Sequence, residues 1–112
     1  MSKTGLKIIE EELRNISQRI AKRINPKRLI LFGSRAAGQA KPDSDIDLCV
    51  IEDNMVDKSE EFIKIRKVLE DSIIPLDILI FNKNEFDKRK DIWGTVQYEI
   101  DKNGKILYER RD

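Results

Sequence analysis

The stretch Leu29–Asp53, LILFGSRAAGQAKPDSDIDLCVIED, decides how the rest of the chain is read. It opens with a short apolar run, Leu29 to Phe32, and breaks at Gly33-Ser34. A polar segment with Pro42 follows, and then a second apolar run that ends at Ile51. Runs of that length between such breaks predict strands. Within the second run Ile46, Leu48 and Val50 alternate with Asp45, Asp47 and Cys49, so a strand over 45–51 turns one set to each face. Asp45 and Asp47 share a face, with backbones about 7 Å apart. Carboxylates inside a strand are costly to bury unless they are paired or hold a cation.

Working outward, residues 4–24 predict an amphipathic helix, because Leu6, Ile9, Leu13, Ile16, Ile20 and Ile24 recur at spacings of three and four. Asn25-Pro26 stops it, since the residue before proline is pushed out of the helical region. Ser34 is a good N-cap and Arg35-Ala36-Ala37 favours helix, but Gly38 limits it to a turn or two. Lys41-Pro42-Asp43-Ser44 predicts a turn. Asp57-Lys58-Ser59-Glu60 resembles a capping box opening a helix to about Asp71, with Phe62, Ile65, Val68 and Leu69 inward. Ile73 to Phe81 predicts a third strand, with Pro75 near its start and Asp77 its lone charge. Residues 82–91 read as a solvated charged face with room for a short helix. Asp91 to Lys102 predicts a helix with Trp93 in the core, and Asn103-Gly104 stops it. Lys105 to Glu109, KILYE, is a brief extended piece. Together these elements predict an α/β (α+β) fold: a small mixed sheet flanked by helices, one domain over residues 1–112.

Composition narrows the chemistry. Of the 112 residues 39% are hydrophobic and 38% charged, and the net charge is +1, from 22 basic and 21 acidic residues. That balance lacks the basic excess of a duplex-binding domain, so no stable nucleic-acid complex is expected. No apolar run reaches the roughly 20 residues of a membrane span, and the N-terminus has no signal-peptide pattern, so a cytoplasmic location is expected. The single cysteine, Cys49, excludes an internal disulfide and reads as packing rather than as a reactive thiol. There is no histidine. This removes imidazole bases, Ser-His-Asp triads and His-based zinc sites, and leaves acid–base or metal chemistry to carboxylates.

Three carboxylates interrupt apolar strands: Asp45, Asp47 and Asp77. Oxygen-only ligands favour a hard cation, Mg²⁺ with Mn²⁺ as the substitute. Mg²⁺ keeps several waters and is completed by substrate phosphates, so three carboxylates suffice for two ions bridged by a nucleotide. Gly33-Ser34 supplies the phosphate side. Glycine after a strand lets the backbone approach closely, and a serine at a helix start offers a hydroxyl near free N–H groups. Arg35 can neutralise phosphate charge. Two look-alikes fail. The run from Asp43 has Leu48 where a Ca²⁺ loop of the EF-hand type needs glycine, and Asn54 where it needs glutamate. Gly33 to Ala40 has Gln39 where a P-loop needs lysine.

Gly33-Ser34, ten residues, then Asp45-Ile46-Asp47 resembles the G-S-x10-D-x-D pattern of the polymerase-β-like nucleotidyltransferase superfamily. The finer pattern FGSRAAGQAKPDSDIDL, with Asp77 in PLDILIF and the ending GKILYER, is similar to its minimal nucleotidyltransferase branch. The resemblance implies that Asp45 and Asp47 bind two Mg²⁺ ions. It implies that Asp77 binds the catalytic ion and takes the acceptor proton, and that Gly33 and Ser34, with Arg35, grip the phosphates of ATP. It further implies a helical HEPN-domain partner, an RNase-like toxin, onto a tyrosine of which AMP is transferred, so that this chain would be its antitoxin and part of a hetero-oligomer. Two other outcomes stay open at this point. One is an antitoxin that acts by occupancy alone. The other is a small-molecule transferase of the aminoglycoside type with a separate substrate-binding subunit.

Overall fold

The computed structural model describes residues 3–38 and 45–111, and in the first helix it describes side chains from Glu10 onward. The elements in chain order are α1 (Lys3–Arg23), β1 (Arg28–Phe32), β2 (Ile46–Glu52), α2 (Lys58–Val68), β3 (Leu76–Asn82), α3 (Lys83–Arg89), α4 (Val96–Asn103) and β4 (Lys105–Glu109). The strands form a mixed sheet in the order β3-β2-β1-β4. β1 runs antiparallel to both β2 and β4, and β2 runs parallel to β3 across α2. The expected α+β sheet with flanking helices is therefore present. The turn expected at 41–44 lies outside the described residues.

The alternation in β2 explains how the sheet is covered. Ile46, Leu48 and Val50 are buried with Leu29 and Leu31 of β1, Ile78 and Ile80 of β3, Ile16 and Ile20 of α1, and Ile65 and Leu69 of α2. The opposite face carries Ile30, Cys49 and Ile51 under Phe86 of α3 and Ile100 of α4. A central strand covered on both faces reads as an almost unbroken apolar run, and that is what LCVI is. Cys49 is fully buried, and burial pushes its thiol up to about 12, so it packs and does not react.

Local signals set most of the ends. Asn25 adopts a left-handed φ of 51° beyond the last turn of α1, a conformation asparagine tolerates better than most residues. Its backbone oxygen accepts from Arg110, and its side chain accepts from the Tyr108 hydroxyl at 2.7 Å, tying β4 to the end of α1. The Asp57 carboxylate caps α2 by accepting the N–H groups of Ser59 and Glu60.

Four expectations are corrected. The last helix begins at Val96, not Asp91. The Thr95 hydroxyl accepts the Tyr98 N–H and lies on the carbonyls of Arg89 and Ile92, and Gly94 turns the chain at φ 90° just before it. Trp93 therefore falls outside the helix and is 82% exposed, not part of the core. The short helix for which residues 82–91 had room is α3, but its face is not wholly solvated, because Phe86 enters the second core. Phe62 lies at the rim of α2 rather than beneath it, with Arg66 over its ring at 5.3 Å.

Candidate active site

β2 and β3 begin at the same end of the sheet, where β1 finishes. The parallel register puts Asp47 beside Asp77, and the antiparallel register puts Phe32 on the other side of Asp47. Both carboxylates lie on the Cys49–Ile51 face, beyond the reach of its core. Pro75 fixes this register. Its carbonyl accepts the Ile46 N–H at 2.9 Å, so the residue that looked only like a tolerated strand start aligns the two strands. The strand itself starts at Leu76, after a Ser72–Ile74 turn, rather than at Ile73.

Gly33 closes the pocket from the β1 side. Its φ of 76° lies in the left-handed region, and a Cβ on it would overlap the Asp47 Oδ2 atom. Backbone conformation and space both demand glycine here. The chain then makes a single turn, closed by Ala37 N–H on the Gly33 carbonyl at 3.1 Å and ended by Gly38 at φ 74°. The expected helical start at Ser34 is thus one turn, with Gly33 supplying its first carbonyl and Ser34 following, half-buried. Arg35 reaches back from that turn, its Nε donating to the Asp45 carbonyl oxygen at 3.3 Å. Gly33→Ala is expected to destabilise the fold by more than the ~1–2 kcal/mol of a left-handed non-glycine residue, because Asp47 must also move; urea unfolding measures it.

Electrostatics confirm that the carboxylates are neighbours. The Asp47 carboxyl is held above its ordinary value, first by burial, then by the charges of Asp77 and Asp45, with Arg35 pulling the other way. Asp45 and Asp77 are exposed at the rim. Among the described residues, no three carboxylate or thiol groups are gathered into a ready-made metal cage. The donor set is instead an open row of hard oxygens in mutual repulsion. That suits a hydrated Mg²⁺ held through one or two carboxylates and completed by phosphates. Of the residues singled out in the sequence, Gly33, Arg35, Asp45, Asp47 and Asp77 come together at one end of the sheet, with Ser34 next to them in the chain. No helix among the described residues is long and apolar enough to cross a membrane.

Comparison with known proteins follows this geometry. A solved structure from Sulfolobus solfataricus, provisionally described as a nucleotidyltransferase, superposes with a TM-score of 0.67 over 98% of this chain and 91% of that chain. Sequence identity is 15%, so the likeness is one of fold. No curated protein matches the chain. The family model described as "Nucleotidyltransferase domain" matches residues 10–98, which hold the glycine turn and Asp45, Asp47 and Asp77, and the chain belongs to that family.

Proposed function

We propose that the chain transfers AMP from ATP to a hydroxyl on another protein, a tyrosine of a helical HEPN-type partner toxin, and thereby acts as its antitoxin. The observation that carries the transfer chemistry is the pairing of Asp47 with Asp77 directly against Gly33. Asp45 and Asp47 would hold Mg²⁺ with Asp77, and the bound ions supply charge neutralisation and a lowered pKa for the acceptor hydroxyl.

The chain's own residues do the rest. Gly33 lets the backbone come against the triphosphate, and Ser34 offers its hydroxyl and N–H in the same turn. Arg35, anchored on the Asp45 backbone, places a guanidinium where phosphate charge builds up. Asp77 stands exposed at the start of the edge strand, where an acceptor can reach it and give up its proton. The acceptor oxygen forms a bond to the α-phosphorus, the bond from that phosphorus to the bridging oxygen breaks, and pyrophosphate leaves with the electron pair.

Incubating the chain with the product of the adjacent gene, labelled ATP and Mg²⁺ tests this. The expected result is AMP on a tyrosine of that product, located by mass spectrometry, and loss of its toxicity. With both proteins intact, an unlabelled partner refutes the reading. An Asp45→Asn/Asp47→Asn chain separates transfer from occupancy: it is expected to leave the partner toxic, and full neutralisation by it would make binding alone sufficient.

A further inference from the structure

β3 is an edge of the sheet, and its outer side is open only in the middle. Because Ile46 N–H bonds the Pro75 carbonyl, Pro75, Asp77, Leu79 and Phe81 turn their backbone groups toward β2, while Leu76, Ile78, Ile80 and Asn82 turn theirs outward. One outward group at each end is already engaged. Arg66 Nη2 donates to the Leu76 carbonyl at 3.0 Å, and the Asn82 N–H donates to Glu85 Oε1 at 3.2 Å. Between them the N–H and C=O groups of Ile78 and Ile80 have no partner among the described residues. They border a groove of about 520 Å³, lined by Lys58, Phe62 and Ile63 of α2 and by β3 itself. Open edges are normally blunted by lysine, proline or a bulge, and Ile78-Leu79-Ile80 carries none of these.

We propose that this edge joins two copies of the chain, β3 against β3, antiparallel around a twofold axis at Leu79. The window is self-complementary. In that register Ile78 of each copy exchanges both backbone bonds with Ile80 of the other, so the open groups of both residues are satisfied. The ends match as well. Leu76 of one copy lies opposite Asn82 of the other, so Arg66, seated on Leu76, meets Glu85 of the second copy, seated on Asn82. The twofold axis makes this opposite-charge contact at both ends. Phe62 and Ile63, the latter 65% exposed, flank the joined strands, and the two sheets become one. A strand from an unrelated protein satisfies the backbone groups equally but has no reason to match the charges at the two ends.

Sedimentation velocity and a cysteine scan test the assignment. The intact chain is expected to sediment as a dimer at tens of micromolar. Leu79 faces its own counterpart as a non-hydrogen-bonded pair with Cα atoms about 4.5 Å apart, within disulfide range. Leu79→Cys is therefore expected to give a disulfide-linked dimer under mild oxidation, while the parent chain, whose cysteine is buried, stays unlinked. Ile63→Asp, on the exposed flank, is expected to weaken association at least tenfold, and at concentrations low enough for both chains to be monomers it is expected to melt with the parent. A monomer at these concentrations overturns the proposal. So does a dimer in which Leu79→Cys fails to cross-link, because it then forms through another surface. None of these readouts is an activity, so their failure leaves the transfer reading untouched.

Discussion

Asp47→Asn is expected to slow nucleotidyl transfer severely and, in the same protein stripped of divalent ions by a chelator, to raise its melting temperature modestly. The two effects share one cause. Asp47 is half-buried, its backbone is paired with Asp77, and it feels the charges of both Asp77 and Asp45. Without a cation that arrangement is repulsive. Asparagine keeps the shape that fits over Gly33 and removes one of the clustered charges. Under the proposed transfer the same charge would hold a cation. Loss of a cation ligand at a phosphoryl centre removes several kcal/mol of transition-state stabilisation, and each 1.36 kcal/mol is tenfold in rate. A fall on the order of a thousandfold is expected in a transfer assay. Mg²⁺ should raise the melting temperature of the parent chain more than that of the variant. If Asp47→Asn melts lower than the parent without ions, Asp47 has a structural role that this account omits.

Glu52→Gln is expected to flatten the dependence of stability on pH. Glu52 ends β2 on the side of the sheet away from the carboxylate row, and it is nearly fully buried. Its Oε2 has no hydrogen-bond partner among the described residues. Its carboxyl is pushed up to about 8, first by burial and then by its hydrogen bond to Glu61 and the charge of that group, with Lys64 and Arg110 opposing. Below its ordinary value near 4.5 both folded and unfolded chains hold the proton. Between that value and about 8 only the folded chain holds it, so stability falls as pH rises across this window. Above it Glu52 is ionised in both states and the full penalty remains, on the order of a few kcal/mol. Glutamine presents a permanent N–H donor to Glu61. Chemical unfolding at pH 5, 7 and 9 is expected to show parent and variant nearly equal at pH 5, with the variant clearly more stable at pH 9. Parallel curves would mean that another group titrates.

Much of this was legible in the residue pattern because the relevant signals are local or strictly periodic. The alternation through Ile46–Ile51 assigned both faces of β2, and with them the face of Asp47, correctly; Asp45, expected inside the strand, stands just before it. The Asp57 cap and the KILYE strand were likewise written in short segments. What escaped depends on distant partners. Phe86 sits in a run dominated by charge, and only the second face of the sheet makes it core. Trp93 looked like core because its spacing to Val96 and Ile100 is helical, but the Thr95 cap and the Gly94 turn outrank a periodicity that short. Glu52 read as the end of a strand, and its burial follows from the packing of α2 over it. The side-by-side placement of Asp47 and Asp77 needs a register, and register between parallel strands joined across a helix is set by tertiary pairing through Pro75, which no local rule reports.

The bond from Ile46 to Pro75 also bears on how such a chain can change over generations. Even-numbered positions in β2 and β3 fill one core, while odd-numbered positions carry the carboxylates and the other core. A single-residue insertion or deletion in either strand exchanges the two sets at once, so folding and chemistry fail together. A two-residue insertion restores the faces but separates Asp47 from Asp77 by about 7 Å along the strands. Length variation in a lineage of such chains should therefore be confined to segments outside these strands, while point substitutions accumulate within them.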